Sequence, residues 1–193
     1  MFKKIFIKSF FKFIITLVFS FFVCVGIFNL STMYLKKVIY PLNYKEYVFK
    51  YADYYGLDRA LIFSIIKTES SFDKNAISSA GAVGLMQITE STALYIAQKL
   101  GENNYKLTEP ETNIRFGCYY VKYLYQRFEN LETALVAYNA GEGNVANWLK
   151  DENLTDDGIT LKKIPFKESR EYILKIKQNV KKYKKLYNKI LDK

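Results

Sequence analysis

With 193 residues, a net charge of +10 and no histidine, the chain has room for one compact domain plus an appendage. The missing histidine excludes Ser-His-Asp and Cys-His catalysis and the usual zinc sites, so no metal or cofactor is called for and any acid or base must be a carboxylate, Lys, Tyr or Cys. The positive charge fits nucleic acid, anionic lipid or an acidic polymer, and the 17% aromatic share fits a rich core or a groove that stacks against flat ligands such as sugars.

Lys3, Lys4, Lys8 and Lys12 precede an uncharged run from Phe13 to Leu30. A helix of roughly 17 to 25 apolar residues crosses a bilayer, so residues 13–30 read as a retained transmembrane anchor behind a basic cytoplasmic segment, 1–12. A cleaved signal peptide is the alternative, but no small-x-small cleavage site follows the run. Cys24 lacks the small preceding residues of a lipoprotein, and Cys118 is too remote in sequence and setting to make a disulfide with it plausible. The lysine bias places everything after Ser31 outside the cytoplasm, giving a single-pass protein of the cell membrane.

Residues 31–46 read as a juxtamembrane connector and 47–193 as a mostly α domain. The spacing predicts a helix over 44–55 ended by Gly56, then one from Arg59 to Glu69 capped by Asp58. Thr89 caps a third that ends before Gly101, and Pro110 opens a fourth that reaches Phe128. Ile114, Cys118, Val121 and Tyr125 give that helix an apolar face. A fifth helix over 131–138 stops at Asn139-Ala140-Gly141. A last one follows Pro165, with Tyr172, Ile176, Val180, Tyr183 and Tyr187 at spacings of three and four.

Glu69 follows Ile66, Ile65 and Ile62 at helical spacing and so shares their apolar face. Partial desolvation and the negative end of the helix dipole both raise the pKa of a carboxyl there, which suits a general acid near neutral pH. A solvated glutamate at a frayed helix end is the plainer reading of this segment taken alone.

After Glu69 come Ser70-Ser71-Phe72, then Gly84-Leu85-Met86-Gln87, Asn113 to Gly117 as Asn-Ile-x-x-Gly, and Ala137-Tyr138-Asn139-Ala140-Gly141. In this order the motifs resemble the lytic transglycosylases with the soluble-transglycosylase (SLT), goose-lysozyme-like domain, across roughly residues 45–180. The resemblance implies a mostly α, lysozyme-like fold and an enzyme of peptidoglycan glycan strands. It implies that Glu69 protonates the oxygen between MurNAc and GlcNAc, then takes the proton of the MurNAc C6 hydroxyl to leave a 1,6-anhydro end. It also implies that Ser78 and Gln87 line the groove, that Tyr138 hydrogen-bonds near the catalytic carboxyl, and that Asn139 and Tyr172 contribute to the groove. Ile164-Pro165-Phe166 and Glu168-Ser169-Arg170-Glu171-Tyr172 are similar to the family's later motifs. Thr89 and Glu90 depart from the Met and Pro common after Leu-Met-Gln, which bears on the subsite beside Gln87.

The motifs offer no obvious second catalytic carboxylate; Asp73 and Glu90 read as loop and helix-start residues. The lysines from Lys175 to Lys189 read first as a solvated face, with anionic wall polymers or headgroups offering them a functional use. A hydrolytic muramidase would share the glutamate and groove, and a non-catalytic glycan-binding assembly protein would share the groove alone. Nucleic-acid binding is not expected, because no such motif accompanies the charge.

Overall fold

The computed structural model describes residues 2–191, with side chains from Lys12 onward; Lys3, Lys4, Lys8 and Lys193 lie outside the described side chains. Two units divide the described chain, one through Leu42 and one from Asn43.

The first unit is helix α1 (Phe2–Tyr34), followed by a wider turn over Leu35–Ile39. The helix continues past Leu30 because neither glycine nor proline interrupts the chain before Pro41 and Met33, Tyr34, Leu35 and Val38 keep it apolar. Phe19, Phe22 and Phe28 are each about two-thirds exposed on different sides of it. A helix this apolar all round suits a lipid environment, and 28 residues from Lys12 to Ile39 are long enough to cross one.

The second unit is helical, with no named strand among the described residues: α2 (Lys45–Tyr55), α3 (Arg59–Ser70), α4 (Glu90–Leu100), α5 (Pro110–Phe128), α6 (Leu131–Ala140), α7 (Glu142–Trp148) and α8 (Lys167–Leu191). Local chemistry sets the boundaries. Asp58 Oδ1 accepts from the amides of Ala60 at 2.7 Å and Leu61 at 3.2 Å, satisfying donors that the first turn of α3 leaves free. Thr89 and Asn130 cap α4 and α6 in the same way. Gly56 and Gly101, both left-handed, close α2 and α4.

Helix α3 is the central element. Ile62, Phe63, Ser64, Ile65 and Ile66 are fully buried, because α2 and α8 pack against it. The Phe63 ring stacks on Tyr183 of α8 at 5.5 Å, and each such buried side chain is worth about 1.5–3 kcal/mol. Helix α5 packs against α2 and α6 and buries Ile114, Cys118, Val121 and Leu124. Two expected core positions differ. Tyr125 is 40% exposed, since α5 turns that flank to solvent, and Val180 is half-buried on the wall of a hollow of about 520 Å³ between α3, α6 and α8. Both cysteines are free.

Candidate active site

Glu69 sits in the last turn of α3 and is half-buried, with its carboxyl largely stripped of water yet not sealed off. Burial is the main force pushing its pKa up, to about 7; the Tyr172 phenol pulls the other way and the Glu168 carboxylate adds to the rise. Immediately beyond, Ser71 and Phe72 both take positive φ, 50° and 69°. Two consecutive left-handed, non-glycine residues are costly, and such strain collects at functional sites. Ser70 holds the turn in place by donating to Leu85 O at 2.8 Å.

Leu85 belongs to the loop 73–89, which crosses the end of α3. Its only regular features are single bridges pairing Val83 with Ile77 and with Ile88. It is tied to α5 by Asn113, a fully buried side chain in the first turns of that helix. The Asn113 amide donates to Val83 O at 2.9 Å and Leu107 O at 2.8 Å, and its oxygen accepts from the Met86 amide at 2.7 Å. Gly84 must be glycine here: φ is +82°, and a Cβ would meet Leu107 O at 2.6 Å and the Asn113 amide nitrogen. Gly117, one turn beyond Asn113, leaves the space that the Met86 side chain fills.

Of the expected site residues, Gln87, Tyr138 and Asn139 line one cleft, Tyr138 and Tyr172 lie within electrostatic reach of Glu69, and Ser78 sits within the loop 73–89. The Tyr138 hydroxyl donates to Met86 O at 2.7 Å and so fastens the loop, with Glu69 within electrostatic reach of the phenol. Tyr172 is buried and its hydroxyl has no hydrogen-bond partner; it lies close enough to shift Glu69 without closing a bond of good geometry. Burial pushes both phenols well above the usual tyrosine range, with the Glu69 charge reinforcing it, so both stay protonated. Asn139 does more than end α6, because its oxygen accepts from Ser169 Oγ at 2.6 Å and ties α6 to α8. Ser78 accepts from the Ala82 amide at 3.0 Å and Gln87 donates to Gly84 O at 2.9 Å, so both side chains brace the loop.

Beside these residues a cleft of about 480 Å³ runs between the loop, α4, α5 and the α6–α7 junction, with Gln87, Thr92, Tyr120, Tyr138, Asn139 and Glu142 on its walls. Glu69 is not on these walls; it lies within electrostatic reach of Tyr138, which is. Asp73 and Glu90 are exposed, one capping the Asn75 amide and the other accepting from Tyr105, as their loop and helix-start positions suggested. The carboxylate that does act on Glu69 is Glu168, at the start of α8. It stands in a quoted motif, yet 99 positions of chain separate it from Glu69 and nothing local announces their proximity.

The sequence profile of the transglycosylase SLT domain matches residues 46–159. The chain belongs to that family. Its SLT domain is similar to the soluble lytic murein transglycosylases of Salmonella typhimurium (35% identical over 140 residues, 69% of this chain and 22% of the relative) and Escherichia coli K12 (34%, with the same coverage). It is also similar to the membrane-bound lytic murein transglycosylase C of Serratia proteamaculans, 30% identical over 168 residues, covering 74% of this chain and 47% of the relative. The chain therefore spans between about a fifth and a half of the length of these relatives. Among solved structures, the 70 kDa soluble lytic transglycosylase of Escherichia coli superposes with a TM-score of 0.66 at 30% identity, covering 76% of this chain and 25% of that one. An inactive Glu→Gln mutant of the lytic transglycosylase Slt from Pseudomonas aeruginosa gives 0.65 at 32%, covering 76% and 24%. The SLT domain here has the mostly helical, lysozyme-like fold of those enzymes.

Proposed function

We propose that this chain is a peptidoglycan lytic transglycosylase, anchored by α1 as a single membrane span with its SLT domain outside the cytoplasm. The observation that carries the reading is Glu69: a carboxyl poised at about 7, half-shielded at the end of a buried helix, in a family of lytic transglycosylases. Near neutral pH such a group is protonated about half the time, so it can give a proton and take one back.

The reaction begins with the glycan in the cleft and Glu69 protonated. Glu69 donates its proton to the bridging oxygen as the bond from that oxygen to C1 of MurNAc breaks. The C6 hydroxyl of the same MurNAc bonds to C1, and its proton passes to the Glu69 carboxylate, restoring the starting state. One C–O bond breaks and one forms, and no water is consumed. Tyr138 and Gln87 act on the loop that borders the cleft, while the Tyr172 phenol, buried without a partner, has a donor free for charge that develops beside Glu69. The Pseudomonas aeruginosa Slt, inactive as a Glu→Gln mutant, supports a glutamate-dependent reaction of this kind.

Glu168 favours one other reading, hydrolysis, because a second carboxylate near the acid is what an enzyme that activates water employs. The products separate the two. Mass spectrometry of muropeptides released from purified sacculi is expected to show 1,6-anhydro-MurNAc ends; reducing ends in their place would make the enzyme a muramidase.

A further inference from the structure

The chain between the membrane-spanning helix and the SLT domain is short. The charge-free run that follows Lys12 ends at Lys36 and Lys37, both exposed, which suits the level where a spanning helix leaves hydrocarbon. The wider turn ends at Ile39 and α2 begins at Lys45, so residues 40–44 are all that connect them. Fully extended, that stretch spans at most about 20 Å. It is also taken up from both ends: the Tyr40 amide donates to Leu35 O at 2.7 Å, and Tyr44 O accepts from the Tyr47 and Val48 amides at 3.1 Å. No glycine occurs between Gly26 and Gly56, and Pro41 stiffens the middle. A linker that let a domain range freely would be longer and rich in glycine and serine.

Aromatic side chains crowd the same stretch. Tyr34 is 56% exposed, and Tyr40, Tyr44 and Tyr47 are each half-buried. Tyrosine collects at the membrane–water interface, where its ring enters the acyl boundary and its hydroxyl stays wet. These tyrosines, interleaved with exposed Lys37 and Lys45, suit the headgroup layer of a bilayer better than a tether through free solvent.

We infer that this connector keeps the SLT domain at the outer surface of the membrane, so that it cuts glycan strands still joined to their membrane lipid, close to the lipid end. The inference rests on the reading of α1 as a single span with the domain outside, and of that domain as a transglycosylase. A domain of residues 43–193 is about 40 Å across, so with its connector no part of it reaches beyond about 60 Å from the membrane surface. A lipid-linked strand starts at that surface, and Lys37 and Lys45 complement the phosphates of its lipid end. The bond chemistry is the same: the C6 hydroxyl of MurNAc displaces the bridging oxygen, the released strand carries the 1,6-anhydro end, and the lipid keeps a stub that ends in GlcNAc. The reaction that supplies this substrate is therefore polymerisation of glycan on a lipid carrier in the same membrane.

The test reconstitutes the full-length protein in phosphatidylglycerol vesicles, with long glycan strands joined through diphosphate to a polyprenyl lipid in the same bilayer. After limited digestion, the length of glycan left on the lipid is read by gel electrophoresis, and short stubs are expected. Inserting a helical spacer of about 40 residues between Leu42 and Asn43 lifts the domain by up to about 60 Å and should lengthen the stubs correspondingly. Lipid-free strands in solution should be cut at the same rate by both proteins. Stubs of unchanged length with the spacer, or wild-type cuts spread evenly along lipid-linked strands, would overturn the inference. If the spacer variant cuts no free strands, the wild-type distribution decides alone. The underlying readings fail differently: wild-type protein that cuts no free strands removes the transglycosylase, and a shortened, membrane-free form in cells removes the anchor.

Discussion

Replacing Glu69 with glutamine should make the protein more stable as well as inactive, and the gain should depend on pH. In the unfolded chain this carboxyl titrates near 4.5, and in the folded protein near 7. Below pH 4.5 both states hold the proton and the group contributes nothing to the pH dependence. Between 4.5 and 7 the unfolded chain releases it while the folded protein keeps it, so wild-type stability falls as pH rises; above 7 the loss is complete. At about 1.4 kcal/mol per unit the full penalty is about 3 kcal/mol, trimmed toward 2 by the water that reaches a half-buried group. Glutamine keeps the shape and never ionises. For a domain of this size about 2–3 kcal/mol corresponds to roughly 5–10 °C in Tm. Melting curves of wild type and Glu69→Gln at pH 4 and pH 8, followed by near-ultraviolet circular dichroism, measure the gap directly. The gap should widen by that amount at pH 8. A gap that stays constant, or widens toward acid, would show that the carboxylate is not forced into a desolvated place, and the argument for its raised pKa would fail.

Glu168→Gln removes a negative charge that holds Glu69 protonated, so the alkaline limb of the pH–activity profile should move to lower pH while burial keeps it above the ordinary carboxylate range; an unmoved limb would show that the two carboxyls do not communicate. Asn113→Leu strips the side-chain partner from the Met86 amide and the Leu107 carbonyl, and one of two partners from the Val83 carbonyl, and should cost about 2–3 kcal/mol in urea unfolding, whereas a loss under about 1 kcal/mol would mean that the loop holds itself. Neutralising Lys181, Lys182, Lys185 and Lys189, all exposed, should weaken retention on sacculi several-fold at low salt and little at high salt; equal effects at both would make their role other than electrostatic. Fractionation of cells expressing the chain should leave it in the membrane through a carbonate wash, and recovery of a shortened, membrane-free form would replace the anchor with a cleaved signal.

Much of the helical frame was legible because its punctuation is local. Asp58, Thr89, Pro110, Gly56 and Gly101 stand where caps, first-turn prolines and left-handed closures belong, and the structure uses each of them so. Helix α7 escaped notice because it is a single short element containing Gly143 and it shares Gly141, with φ of 88°, as the hinge from α6. The three isoleucines before Glu69 announced its apolar face. The destinations of the surrounding polar atoms were hidden, since they cross between segments: Tyr138 reaches Met86 over 52 positions and Ser169 reaches Asn139 over 30. Asn113 is the clearest case. It sits in one of the motifs, but only the packed structure reveals that its side-chain amide bonds the Met86 amide and the Val83 carbonyl across 30 positions or fewer.

The interlock of loop and helix also limits how this domain can change over generations. The Asn113 amide occupies the space a side chain on Gly84 would need, and Met86 occupies that of Gly117. A substitution at either glycine must displace a neighbour that is itself completing hydrogen bonds or filling the core, so its cost depends on what the neighbour has become. Gly84, Met86, Asn113 and Gly117 should therefore drift as a set, with variants tolerated in combinations that are individually destabilising. Random mutagenesis would find few single replacements there, whereas libraries that vary the four positions jointly have access to alternative solutions to the same junction.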